Sequence, residues 1–138
     1  MDIGYYPGCT LHASSSLYDV QSRRVFNAIG INLKEIEDWN CCGATPAATV
    51  DPMLPHALAA RNLAIAEEMG MDMVAPCAAC YKNINKASHV LNDDPELLAR
   101  VNATLNGHQL GYAPKVRHPL DVVVNDVGLD SVPVEKPL

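Results

Sequence analysis

Long apolar runs are missing from this sequence. None approaches the ~20 residues that cross a bilayer, so direct membrane insertion is not expected. Basic charge is scarce too. Ten Lys and Arg stand against 16 Asp and Glu, a formal net charge of -6 at pH 7. A protein that grips nucleic acid by its phosphates carries the opposite sign. Aromatic residues make up 5% of the chain, too few for a platform that stacks single-stranded bases. The opening Met1–Thr10 stretch has neither a basic nor an apolar signal region, so a reducing cytoplasm is the expected setting. No Gly-rich phosphate loop, Ser-His-Asp order, paired-carboxylate motif, low-complexity tract or internal repeat stands out. What remains is a chain of 138 residues, 49% hydrophobic, with mean hydropathy -0.00. That length matches one domain of ~100–200 residues, large enough to bury about two-thirds of its unfolded surface.

Five cysteines interrupt this ordinary composition: Cys9, Cys41, Cys42, Cys77 and Cys80. Their number is odd, so they do not all pair within the chain. The pattern around them is regular. Residues 2–6 read as a strand stopped by Pro7-Gly8, with Cys9 next. Ser14, Ser15 and Ser16 offer N-caps. Leu17, Val20, Val25, Ala28 and Ile29 share one helical face, closed by Gly30. Residues 31–36 alternate as a half-buried strand and lead through Trp39 and Asn40 to Cys41-Cys42-Gly43. Leu54, Leu58, Ile65 and Met69 mark an amphipathic helix ending at Gly70. Residues 73–75 form a short buried strand, after which Cys77-Ala78-Ala79-Cys80 opens a helix to about residue 91. A helix over 95–105, a short strand at 115–117 and a helix over 119–128 complete the order. Residues 131–138, with two prolines, read as linker.

This order predicts an α/β fold, a small open and mostly parallel sheet with right-handed βαβ crossovers. Cys9, the Cys41-Cys42 pair and Cys77 each follow the C-terminal end of a strand. In an open parallel sheet those ends share one edge, where ligands bind. Three segments distant in sequence should therefore bring five thiols to one crevice. Core cysteines would also appear on helix faces, and none does. The vicinal pair is unsuited to a disulfide, because neighbouring Cα atoms lie ~3.8 Å apart and disulfides need at least ~4.4 Å. A thioredoxin-type pair at Cys77 and Cys80 leaves three thiols idle. A metal site uses them all. Zinc takes four ligands, as does a cubane [4Fe–4S] cluster. The fifth is either a spare thiol or a bridge between two irons. The site is thiolate-rich, suited to iron–sulfur or zinc. Gly8 and Gly43 let backbone N–H groups approach sulfur, and the helix starting at Cys77 points its free N–H groups and positive dipole end inward.

Spaced as Cys9, 31 residues, Cys41-Cys42-Gly43, 33 residues, Cys77-x-x-Cys80, the chain resembles the CCG cysteine-rich domain. Tyr6-Pro7-Gly8-Cys9-Thr10 and Val116-Arg117-His118-Pro119-Leu120 resemble the B-type subunit of heterodisulfide reductase. The resemblance implies one CCG domain over residues 1–130. Residues 131–138 would lead toward a second CCG repeat absent from this chain. It implies that Cys9, Cys41, Cys42, Cys77 and Cys80 bind one noncubane [4Fe–4S] cluster, one sulfur bridging. Without the cluster the chain would either be metal-free or hold zinc in four of the five thiolates. It also implies an oxidoreductase that cleaves a disulfide such as coenzyme M–coenzyme B between two such clusters. The implied partners are a second CCG domain and a subunit that delivers electrons through cubane clusters. The other reading is a non-catalytic docking domain of an electron-transfer complex, stabilised by zinc or a cluster.

Other residues carry weaker signals. His12, three residues after Cys9, reads as a polar loop residue before a donor to sulfur. His56, His89, His108 and His118 read as surface or capping residues, and Lys82 as a solvated lysine. Tyr6 and Trp39 flank the cysteine loops and read as packing that keeps water off the site.

Overall fold

A computed structural model describes residues 1–134 of the chain. Four strands form one parallel sheet: β1 (Asp2–Tyr5), β2 (Asn32–Glu35), β3 (Met73–Val74) and β4 (Val116–Arg117), in the order β2-β1-β3-β4. Ile3 pairs with Leu33, Tyr5 with Val74 and Met73 with Val116. The mostly parallel sheet read from the sequence is therefore parallel throughout its described strands. The strands are shorter than the patterns that announced them.

Seven α-helices surround the sheet: α1 (Gly8–Leu11), α2 (Ser16–Ala28), α3 (Ala47–Val50), α4 (Leu54–Glu68), α5 (Ala78–Asp93), α6 (Pro95–Asn102) and α7 (Pro119–Val122). Side-chain alternation along β1 divides the core between two faces. Ile3 and Tyr5 pack with Leu11, Phe26, Val74 and Val122 on one side. Tyr6, Met73 and Val116 pack with Leu63, Ile84 and Leu91 of α4 and α5 on the other. The reversal of strand order between β1 and β3 accounts for this division. A right-handed β1–β2 crossover puts α2 on one face. The crossovers toward β3 and β4 run the opposite way and put α4 and α5 on the other.

Three expectations need correction. Helix α2 does not bury the apolar stripe read from its sequence. Leu17, Val20 and Val25 are exposed, whereas Ser22 and Phe26 are buried. The inward face is secured by polar contacts instead. Tyr5 donates its hydroxyl hydrogen to Asp19 at 2.7 Å, and the Arg23 guanidinium lies 4.4 Å above the Tyr5 ring. Ser15 is the N-cap of α2 but makes no side-chain capping bond. Helix α4 lacks the narrow stripe of Leu54, Leu58, Ile65 and Met69. It is buried at Ala59, Ala60 and from Asn62 to Ala66, while Leu54 is exposed. Its alanines let neighbouring elements approach on several sides. Finally, the helix expected over 119–128 is α-helical only through Val122. It widens to a π-helix over Val123–Val127, closed by Gly128 N–H donating to the Val123 carbonyl at 3.0 Å.

Smaller differences lie at element ends. Helix α6 stops at Asn102, and the single turns α1 and α3 had no periodic signal in the sequence. Of the linker expected at 131–138, Ser131 belongs to a 3₁₀ turn (Leu129–Ser131). Residues 135–138 lie outside the described residues.

Candidate functional site

The strand order reverses between β1 and β3. At such a switch point the loops leaving two adjacent strands turn to opposite faces and open a crevice. The β1 loop carries Cys9 within α1, and the β3 loop carries Cys77 as the N-cap of α5. Cys9 and Cys77 therefore flank the one place where the topology opens the sheet.

Gly8 holds the two loops together. Its φ is +72°, and a Cβ there would lie 3.1 Å from Cys80 Sγ and 3.2 Å from the Tyr6 ring. Only glycine meets both demands without strain. Consecutive Cα atoms are ~3.8 Å apart, which puts the Cys9 Cα at most about 8.5 Å from that sulfur.

Cys41 and Cys42 have farther to come, because β2 lies on the opposite side of β1. Several side chains carry this loop inward. Tyr6 donates its hydroxyl hydrogen to the Asn40 carbonyl at 2.9 Å. Asn62, fully buried in α4, accepts from Asn40 N–H at 2.9 Å and donates to the Asn40 carbonyl at 3.0 Å. The Asn40 side chain in turn donates to the Cys41 and Leu58 carbonyls, each at 2.9 Å. Arg61 donates to the Asp38 carbonyl at 2.6 Å and pairs with its carboxylate, holding Asp38 at φ 53°. From α5, Asn83 donates to the Cys42 carbonyl. Gly43 closes the loop at φ +82°, where a Cβ would meet the Pro55 carbonyl oxygen at 3.0 Å. Sequence reading missed Asn62, Arg61 and Asn83. Their one signal was a set of polar groups on otherwise core-facing helices.

The thiols act on one another. Hydrogen bonding from Cys80, aided by the Ala44 backbone and Cys41, lowers the Cys42 thiol to about 6 against the opposing effect of burial. The Cys80 thiol is pushed up, first by the Cys42 thiolate, then by burial, with Cys77 adding to both. Tyr6 also sits among them. Burial raises its phenol, and the charges of Cys42, Cys80, Cys41 and Cys9 raise it further. Cysteines from three loops thus act on the Tyr6 phenol, and Cys77 acts on Cys80. Cys42 and Cys80 are buried, Cys41 and Cys77 half-buried, and Cys9 exposed; none is in a disulfide. Helix α5 begins at Cys77 with no side chain capping its first N–H groups. Those donors and the positive helix end lie at the turn that carries Cys77 and Cys80.

The donor set is soft and thiolate-rich, which suits iron–sulfur chemistry. Among the described residues no group of three or more His, Cys, Asp or Glu is arranged to hold a metal ion. A lone zinc needs its ligands about 2.0–2.3 Å from one point, whereas a multi-iron cluster spreads its ligands around a larger body. Five free cysteines, one more than a single zinc takes, fit the second better.

The flanking residues mostly keep the bland roles read for them. His12 stacks edge-on against Trp39 at 5.1 Å and faces Glu35 at 3.5 Å. Trp39 also meets Tyr6 edge-on at 5.5 Å. His118 caps α7 by accepting from Leu120 N–H at 3.3 Å, and His108 faces Glu68 at 3.0 Å. Lys82 and His89 are exposed. His56 is half-buried in a cavity rather than on open surface.

The family model described as "CCG: Cysteine-rich domain" matches residues 3–85, a span that holds all five cysteines. The chain belongs to the CCG cysteine-rich domain family. This CCG domain is 36% identical over 135 residues to a protein of Archaeoglobus profundus described as like the B-type subunit of heterodisulfide reductase. That match covers 94% of the chain and 44% of the relative. It is 32% identical to the 8-methylmenaquinol:fumarate reductase membrane anchor subunit of Wolinella succinogenes, covering 99% of the chain and 48% of that protein. It is 24% identical to the B-type subunit of a ferredoxin/F(420)H(2)-dependent CoB-CoM heterodisulfide reductase of Methanosarcina acetivorans, covering 94% and 44%. The chain spans about half the length of these relatives. A crystal structure of a hypothetical protein from Helicobacter pylori shares the fold at TM-score 0.78 and 17% identity, over 90% of this chain and 25% of that one. No described helix is long and apolar enough to cross a membrane.

Proposed function

We propose that this CCG domain is an iron–sulfur redox domain of a B-type subunit like that of heterodisulfide reductase. In this reading Cys9, Cys41, Cys42, Cys77 and Cys80 would hold one noncubane [4Fe–4S] cluster. The observation that supports it is the convergence of the cysteine loops at the sheet's switch point, where Gly8 leaves room for Cys80 Sγ and Asn83 of α5 holds the Cys42 carbonyl.

Such a cluster, when bound, supplies electrons to a disulfide held against it. Two electrons and two protons turn one disulfide into two thiols. The substrate is a disulfide of the coenzyme M–coenzyme B kind. The chain's own residues have three tasks. Cys42, already the most acidic of the shifted thiols, gives up its proton readily to become a ligand. Tyr6 and Trp39 pack against each other and exclude water from the inner wall. Exposed Cys9, Ala78 and Ala79 mark the open side, where substrate, a second CCG domain and a cubane-cluster subunit approach. Because the chain spans about half of its relatives, it supplies one wall of that site.

One relative is an anchor subunit of a fumarate reductase, and this favours a second reading. In it the domain docks within an electron-transfer complex, held by zinc or a cluster, and cleaves nothing. Metal analysis of anaerobically prepared protein separates the two. The first reading expects about four irons and four sulfides per chain, with replacement of any one of the five cysteines by serine lowering both. One zinc and no sulfide overturns it. An EPR spectrum that changes when a thiol is added under anaerobic conditions further supports substrate binding at the cluster.

A further inference from the structure

A cavity of about 330 Å³ lies behind the cysteine loop, between Gly43–Ala48, the first turn of α4 and α5. Two of its lining groups are basic, His56 from α4 and Lys86 from α5. No carboxylate lines it, although acids outnumber Lys and Arg by 16 to 10 in the chain. Lys86 is exposed and, like the other described lysines, forms no salt bridge among the described residues. Burial, then the nearby Lys86 ammonium, holds the His56 imidazole below its ordinary range. A lysine and an imidazole favoured in its uncharged form thus share a concave space whose remaining lining is mainly Ala and Pro. Thr45 and Asn83 add hydrogen-bonding groups.

We propose that this cavity binds a small organic anion, its carboxylate or phosphate between Lys86 and His56 and its carbon skeleton against the alanines and prolines. The pairing is chemically specific. An anion there pairs with Lys86 and offsets the charge that disfavours protonation of His56. A neutral ligand does neither.

The cavity also touches the cysteine site. Gly43 forms part of its wall, and Asn83, another wall residue, donates to the Cys42 carbonyl. An occupant therefore braces the loop that carries Cys41 and Cys42 without touching a sulfur.

Isothermal titration and amide NMR of the metal-free chain test the proposal, with acetate, succinate and inorganic phosphate as separate probes. Saturable binding is expected for at least one probe, with the largest shifts at Gly43, Ala44 and Ala87. Stronger binding of the carboxylates than of phosphate assigns an organic acid; the reverse order assigns a phosphorylated ligand. Lys86→Met should weaken binding at least tenfold and His56→Gln severalfold. Lys82→Met, which removes the same charge from α5 outside the cavity, should change it less than twofold. Absence of saturable binding for every probe overturns the proposal. So does equal weakening by Lys82→Met and Lys86→Met, which marks general charge attraction. Because the protein is metal-free, either result stands apart from the iron and sulfide count.

Discussion

Gly8 and Gly43 are set by the space a side chain would need. Both take positive φ, and a Cβ on Gly8 would press on Cys80 Sγ and the Tyr6 ring at once. A left-handed conformation alone costs a residue with a Cβ roughly 1–2 kcal/mol. Gly8→Ala is therefore expected to lower stability by at least that amount, read as a shift of the urea midpoint with an unchanged slope. It should also reduce the iron retained after reconstitution. Asn62 is set by a different need. It serves both the N–H and the carbonyl of Asn40, and it is fully buried. Asn62→Ala leaves that N–H without a partner in the interior, at a cost of about 1–3 kcal/mol. Tyr6→Phe is milder, about 0.5–1.5 kcal/mol, because Asn62 still donates to the Asn40 carbonyl. Urea unfolding of the two variants should rank them in that order.

At the scale of elements, α5 does two jobs at its first turns. Its first turn carries Cys77 and Cys80, and Asn83 holds the Cys42 carbonyl three residues beyond Cys80. Asn83→Ala is expected to loosen the cysteine loop and lower retained iron more than it lowers global stability. Helix α6 provides the contrast. Asp94 caps it by accepting from Leu97 N–H at 2.9 Å, far along the chain from the cysteines. Asp94→Ala should cost about 1 kcal/mol and leave iron and sulfide content as in the parent protein. Urea unfolding paired with metal analysis distinguishes the two variants. Element order was plainly legible in the sequence, because Pro7-Gly8, Gly30, Gly70 and Pro76 punctuate the chain at element ends. The orientation of α2 was not. A count of apolar residues turns that helix by more than a quarter circle, because the polar groups Asp19 and Arg23 reach Tyr5 and bring their own side inward. The extent of burial around α4 was hidden for a related reason. A run of alanines looks the same whether one neighbour covers it or three.

Across the whole molecule, the sheet order creates the site. Strands β1 and β3 are neighbours although most of the matched family span separates them in sequence. Their loops carry the first and the last two cysteines. The middle pair must be carried across by Tyr6, Asn40 and Asn62. In our reading the chain alone, loaded with its cluster, should undergo reversible reduction yet give no steady disulfide turnover. Adding a second CCG domain and an electron donor should restore turnover. Stopped-flow absorbance and thiol release measure the two steps separately.

The residue chemistry and its order were readable before any fold was known. Five cysteines at these spacings, each group after a strand, already point to a shared edge in an α/β sheet, because parallel strands end on one side. Tertiary structure alone decided which thiols are buried and what moves the Cys41-Cys42 loop across β1. Those outcomes depend on Asn62, Arg61 and Asn83, residues brought to the loop from separate helices. A side-chain amide or guanidinium in a sequence does not announce which distant carbonyl it will reach; packing of α4 and α5 on one face of the sheet makes that choice.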